Sequence, residues 1–538
     1  MDAGPSGLSA FVDWRDGRHP RPEPRGCSAC CGGTAHSRHR RVGQSVRTAV
    51  RRQPPPTAAV PAPRPRHLRR RPGGSTRHDR HRRLARAATA PQPGVGVGDA
   101  GRSLDAVPAH RRHRARTAAH DRGHALSQSH GCRRGKVNPD MENDPGLLPL
   151  DGITVVALEQ AVAAPLATRH LADMGARVIK IERVGEGDFA RNYDDAVFGQ
   201  ASHFVWLNRS KESLGVDLKS EVGRDTVAKL IAKADVFIQN LAPDAADRLG
   251  FGADELRADH EELIVVNMSG YGSAGPRRER KAYDMLVQAE TGMISVTGTP
   301  DTATKTGVPV SDIAAGMYAM TSVLGALFRR SRTGVGARID VSMFDATAEW
   351  LGHPMYMKMY GDKQIPRVGL GHAAIVPYDS YPTLDGQILI GVQNDRGWRQ
   401  LVTDVFKRPE LADHPRFATN MLRVQHRAEV DALVAEETQR FTSAALDQAL
   451  ADSGIPAAEL NDMGGLIEHP QLDQRDRWRD IGTEGGPIRA MLPPMTFSDV
   501  EMRMGDVPAL GAHTDRILGE LGWSAEDIAT MRDQGVVG

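Results

Sequence analysis

The chain has 538 residues and a formal net charge of +2, but that near-balance joins two opposite parts: residues 1–140 hold 29 Lys and Arg, 28 of them Arg, against 9 Asp and Glu. That is a local charge of +20, which leaves −18 on residues 141–538. From Met141 onward there is no cysteine, which excludes a disulfide framework and thiol catalysis there, and no apolar run reaches about 18 residues without a charge or polar break.

Residues 1–140 are rich in Pro, Ala, Gly and His, poor in Ile, Leu and Phe, and show no sustained periodicity. Such a segment cannot bury enough apolar surface to offset the entropy of ordering, so it is expected to be disordered. A transit peptide would be far shorter and less Pro-rich. A nucleic-acid-binding arm would carry aromatic residues or a recognisable module beside the Arg, so no nucleic-acid partner is expected. GC-rich DNA translated outside its reading frame gives this composition, with almost no Lys. "VNPDMENDPGLLPLDGITVVALEQ" then offers Met141 as the natural start. With no signal peptide before Met141 and no membrane span, a cytoplasmic protein is expected. The four cysteines, Cys27, Cys30, Cys31 and Cys132, all fall in this segment, and no second ligand pair follows them at a zinc-site spacing, so no metal is expected. "GVGVGDAG" spells G-x-G-x-x-G at Gly96, Gly98 and Gly101, but no strand precedes it and no helix follows.

Strand and helix signals then alternate. "ITVVALE" (153–159) reads as a strand, followed by a small-residue helix through Ala172. "ARVIKIE" (176–182) is a second strand. The amphipathic helix "SEVGRDTVAKLIAKA" leads into a third, "DVFIQN" (235–240), and "LIVVNMSGYG" (263–272) is a fourth. Apolar strands separated by helices predict an α/β fold with a parallel sheet covered on both faces, and ligand sites at the carboxyl ends of its strands.

"GVPVSDIAAGMYAM" opens a further helix. Ile313, Met317, Met320, Leu324 and Leu327 recur at helical spacing, and Arg329 and Arg330 complement its C-terminal dipole. Ser311 and Asp312 stand where the N-cap is expected. Asp312 has two readings: a cap contributing about 1 kcal/mol, or a nucleophile that the helix N–H groups keep ionised in an apolar pocket.

"LEQAVAAPLATRHLADMGARVIKIERVGEGDFAR", "NRSKESLGVDLK", "ADVFIQNLAPDAADRLGFG", "NMSGYGSAGP" and "GVPVSDIAAGMYAM" follow one another as in the family III CoA-transferases, which this chain resembles from Met141 through "PALGAHTDRILGELGWSAEDI". The group includes formyl-CoA and carnitine CoA-transferases, with α-methylacyl-CoA racemase as a relative. The resemblance implies a Rossmann-like large domain with a parallel sheet over 141–345, a smaller α+β domain over 346–485, a return to the large domain over 486–538, and an interlocked homodimer. It makes Asp312 the catalytic aspartate, acyl-CoA and a small carboxylic acid the partners, and coenzyme A a cosubstrate with no tightly bound cofactor.

By the same resemblance Arg183, Lys219 and Arg248 face the nucleotide phosphates, and Lys281 lies near the CoA. Asn240 and Leu241 line the CoA site together with the loop Gln160, Ala161, Val162 and Ala163. The chain departs from formyl-CoA transferase at Gln160, where that enzyme has His, and at Leu241, where it has Phe. Racemisation would need an acid/base pair, and Tyr283 stands where the racemases carry His. Tyrosine, with a pKa of about 10, is a poor base at neutral pH. "RVGLGHAAIVPYDSY" (367–381) matches a loop that closes over the intermediate. Gly369 and Gly371 would let it swing, and Arg367 and His372 could bind the distal carboxylate of a C4–C5 dicarboxylate such as mesaconate, citramalate, itaconate or succinate. A catalytically silent CoA-binding paralogue is the reading from another class.

Overall fold

Six parallel strands carry the larger part of the chain: β1 (Thr154–Leu158), β2 (Arg177–Glu182), β3 (Lys211–Gly215), β4 (Val236–Gln239), β5 (Ile264–Ser269) and β6 (Ala337–Ser342). This computed structural model describes residues 147–538. The expected disorder of residues 1–140, the start at Met141 and the cysteine group lie outside the described residues. The sheet order is β3-β2-β1-β4-β5-β6. Its central strands are apolar throughout because both faces are covered. Val155, Ala157, Val236 and Ile238 belong to one buried cluster, Val156, Ile179, Phe237 and Val265 to the other. Strand order reverses between β1 and β4, so the loops leaving them diverge and open the crevice at which doubly wound sheets bind ligands.

Two of the six strands escape the sequence pattern. β3, "KESLG", starts with a buried lysine and reads as polar, while β6, "ARIDVS", is an edge strand that exposes Arg338 and Asp340. Neither has the predominantly apolar run that marks the four inner strands, where β2 alone carries an interior charge, Lys180.

Every residue of the helix Ala163–Asp173 is buried. Across it runs the long helix Val310–Thr333, which ends at Gly334 with φ +74°, a left-handed C-cap that glycine adopts without strain. The expected start at Ser311 or Asp312 needs correcting: the helix begins at Val310, behind Pro309, and no side chain of its own caps it. Its deepest face also differs from the expected stripe. Ala314, Ala315, Gly316, Ala319, Val323 and Ala326 are buried along with Met320, while Ile313, Met317, Leu324 and Leu327 are only partly covered. Close approach is the reason: a Cβ on Gly316 would stand 2.6 Å from the Ala163 carbonyl oxygen. By length and composition this 24-residue helix could cross a membrane, yet it packs here as a core helix beside β5 and β6.

The antiparallel strands β7 (Tyr378–Pro382), β8 (Gln387–Gly391) and β9 (Ala457–Glu459) form a separate sheet whose core includes Tyr381, Ile388, Trp398, Leu401 and Leu446. A hairpin, β10 (Trp478–Ile481) and β11 (Ile488–Met491), follows. The helices Thr514–Glu520 and Ala525–Asp533 then place Ile517, Leu518, Ile528 and Met531 in the cluster beneath β2, β3 and β4.

Candidate active site

The loops after β1 and β4 meet at the switch point. Gln160 N donates to Asn240 Oδ1 (2.9 Å) and Asn240 Nδ2 donates back to the Gln160 carbonyl (2.8 Å), so two separately expected segments form one surface. Leu241 N is held by Gln239 Oε1 (2.8 Å). Ala161 has φ +64°, a left-handed conformation that costs an ordinary residue about 1–2 kcal/mol. Its N–H donates to Asp188 Oδ1 (3.1 Å). Val162 and Ala163 follow at the start of the first helix, where Val162 and Leu166 pack against Ile313 of the long helix.

Beneath this loop lies a buried ionic cluster that sequence reasoning missed. Lys180 Nζ pairs with Asp188 Oδ2 at 2.8 Å and Glu159 Oε1 at 3.4 Å. Lys211 Nζ pairs with Glu159 Oε1 at 2.7 Å and donates to Asn208 Oδ1 and the Pro165 carbonyl, and Thr168 Oγ1 donates to Glu159 Oε2 (2.6 Å). Glu182 receives Arg191 through two bonds (2.9 and 2.8 Å), the Ser213 hydroxyl (2.6 Å) and the Asp188 N–H (3.0 Å). Three carboxylates meet three cations, as burial demands. Burial alone would raise Glu159, but Lys211 and Lys180 carry it below its ordinary value. Burial lowers Lys211 to about 8 despite Glu159, whereas Glu159, Asp188 and Glu182 overcome burial and raise Lys180. The available signal was Lys180 itself, a charge inside the apolar run "RVIKIE" that a covered strand cannot hold unpaired.

Asp312 is the third residue of the long helix. The capping group is Asp284, first residue of the helix Asp284–Glu290, whose Oδ1 accepts from Ser311 N (2.8 Å) and Asp312 N (3.4 Å). Asp312 is therefore not the cap. The expectation that helix N–H groups hold it ionised is reversed as well: burial first, and the like charge of Asp284 second, push its carboxyl up to about 7. A carboxylate desolvated in this way is more basic and the better nucleophile once it ionises. Tyr193 stands close enough to sense it: burial, then Asp188, Asp312 and Tyr283, push the Tyr193 phenol up to about 12. Tyr193 also packs edge-on against His203, with centroids 5.6 Å apart. Tyr283, directly before the Asp284 helix, is exposed.

The three expected phosphate contacts, and Lys281, expected near the CoA, spread along the carboxyl edge of the sheet. Arg183 follows β2 and pairs in solvent with Glu186 (2.5 Å). Lys219 follows β3, Arg248 closes the short helix after β4, and Lys281 lies beyond β5. These last three are exposed and form no ion pair among the described residues. A cavity of about 410 Å³ at the ends of β4 and β5 takes in Leu241, but Asp244, Asp247, Asp254, Glu255 and Asp340 outnumber Arg278 and Arg338 around it. That balance suits hydroxyl and amine donors better than a diphosphate.

In the 367–381 loop, Arg367 donates Nε and Nη2 to the Thr299 and Pro300 carbonyls (3.0 and 2.9 Å), and Gly369 N donates to the Gly298 carbonyl (2.9 Å). Gly369 alone of the two glycines has positive φ, +65°; a Cβ on Gly371 would crowd Asp379 at 2.6 Å. His372 stacks on Tyr378, its Nδ1 accepts from Ala374 N (3.1 Å), and burial followed by Arg427 lowers its pKa. The 297–306 turn that anchors the loop reaches the Asp284 helix through Thr306 N donating to Gln288 Oε1 (3.0 Å).

The family described as CoA-transferase family III matches residues 150–514. The chain is 34% identical to an acyl-CoA transferase of Fusarium pseudograminearum, over 72% of this chain and 88% of that one. It is 30% identical to succinyl-CoA:glutarate CoA-transferase of Homo sapiens, over 76% and 93%. A CAIB/BAIF family protein from Brucella suis superimposes with a TM-score of 0.63 at 34% identity, over 70% of this chain and 99% of that one.

Proposed function

The chain belongs to CoA-transferase family III, and from that premise we propose that it passes CoA from an acyl-CoA donor to a carboxylic acid through a covalent thioester on Asp312. The observation that carries this reading is the Asp312 carboxyl itself, desolvated at a helix start that another residue caps. An Asp312 oxygen attacks the thioester carbonyl, the C–S bond breaks, and a mixed anhydride and CoA thiolate result. The thiolate attacks the aspartyl carbonyl, forming aspartyl-CoA and releasing the donor's carboxylate. The acceptor carboxylate then attacks aspartyl-CoA to give a second anhydride, and the thiolate attacks its acyl carbon, restoring Asp312. No step adds water, so covalent storage retains the thioester energy while the site is closed.

Lys219, Arg248 and Lys281, exposed cations without carboxylate partners at the carboxyl edge, suit the CoA phosphates. For the acceptor, a small diacid is favoured by the human relative's name, which pairs a four-carbon donor with a five-carbon acceptor. Arg367 keeps Nη1 free of described partners and can meet a distal carboxylate; His372, its pKa lowered, would contribute shape rather than charge. Racemisation is the weaker reading because Tyr283 and Tyr193 flank the nucleophile where a base would be needed. A second copy of the chain as partner is supported by the helix Gly352–Gly361, which buries none of its residues and exposes Tyr356, Met359 and Tyr360.

The test is incubation with succinyl-CoA and other short acyl-CoAs, then hydroxylamine and intact-mass analysis. A trapped adduct that disappears in Asp312→Ala is expected. Turnover without any Asp312-dependent adduct would overturn the covalent reading.

A further inference from the structure

The ionic cluster under the β1 loop joins three carboxylates to three cations, and one of its members, Asp188, bonds both the loop after β1 and the turn that leads to Tyr193. We propose that Asp188 is a positioning residue for CoA transfer: it holds the loop after β1 in its left-handed turn and thereby sets the first helix against the helix that carries Asp312.

Asp188 has three commitments. Its Oδ1 accepts from Ala161 N (3.1 Å) and from Ala190 N (2.9 Å), and its Oδ2 pairs with Lys180 at 2.8 Å. The first bond fixes a non-glycine residue at φ +64°, a conformation that persists in an L-residue only where the surroundings impose it. The second caps the short helical turn Phe189–Asn192, and Tyr193, next in sequence, is the phenol that senses Asp312. The third anchors the carboxylate to a lysine with no solvent exposure, itself tied to Glu159 at the start of the same loop. Loop and helix cannot shift independently, because the Ala163 carbonyl lies against Gly316, one turn after Asp312. The consequence of losing Asp188 is therefore a displaced reaction geometry, and a small displacement is costly to a step that needs atoms in attacking position.

The inference uses the CoA-transferase reading of the site, but it is measured in ratios of turnover between variants. It therefore stands or falls separately from the Asp312 adduct. The variants are Asp188→Ala, which removes the acceptor for Ala161 N, Ala161→Gly and the pair of them, assayed with whichever donor and acceptor the unsubstituted enzyme turns over fastest, alongside their thermal midpoints. Asp188→Ala is expected to lower kcat at least tenfold at temperatures where the protein stays folded. That loss should shrink at least threefold in the Ala161→Gly background, since glycine takes up positive φ without help. An equal fold-loss in both backgrounds, or a loss that follows only the folded fraction, would overturn the proposal. Should Asp188→Ala fail to fold, Ala161→Val disturbs the same turn without touching the buried charges. Retained kcat in that variant would sink the idea, and a tenfold or greater fall with a near-unchanged midpoint would support it.

Discussion

Asp312 shows how a residue can be singled out by local rules whose physics the fold then changes. Its place at the head of an apolar helix was visible in "GVPVSDIAAG", and a cap or an ionised nucleophile followed from local rules. The structure gives the cap to Asp284, 28 positions earlier, and no local rule links the two. The Asp312 carboxyl sits at about 7 in the fold, against about 4 in an unfolded chain, so the folded protein binds more protons between those values and its stability falls as pH rises through them. Asp312→Asn should thus raise Tm by roughly 2–4 °C at pH 8, and by less at pH 5, while abolishing adduct formation. A lower Tm at pH 8 would refute the desolvation account. In the unsubstituted enzyme the rate of adduct formation should climb with pH around a midpoint of about 7. Asp284→Asn retains an oxygen for Ser311 N and removes the like charge, so it should move that midpoint downward. An unmoved midpoint would mean burial acts alone.

Helix crossing governs the next scale. The expected stripe of Ile313, Met317, Leu324 and Leu327 was a sound reading of helical periodicity, yet small residues own the deepest contact, because bulk would keep the long helix away from Ala163. Overpacking such a contact costs typically 1–3 kcal/mol. Gly316→Val, whose Cβ would meet the Ala163 carbonyl at 2.6 Å, should lower Tm by several degrees and reduce kcat, since the same crossing orients the first turn of the Asp312 helix. Unchanged melting would show that the helices can part freely. Among the strands, the four inner ones were legible because burial on both faces makes a strand apolar. β3 was hidden by Lys211, whose burial makes sense only beside Glu159, and β6 by its place at the edge.

For the molecule as a whole, the exposed Tyr356, Met359 and Tyr360 lead to one measurable expectation. Sedimentation should report two copies of the chain, and Tyr356→Glu combined with Met359→Glu should shift the population toward one copy and lower turnover. A stable pair of chains in the double variant would place the contact elsewhere. The amino-acid sequence by itself determined the α/β class, the family resemblance and which segments, Asp312 among them, to look at, because apolar runs, helical spacing and motif order are local properties of the chain. Only the tertiary structure decided that Asp284 caps the Asp312 helix, that Asp312 is poised near neutrality, and that Lys180, Lys211 and Arg191 are balanced by Glu159, Glu182 and Asp188 under the β1 loop. Each of these depends on charges brought together from distant segments, and on how little water is left between them, which no spacing along the chain records.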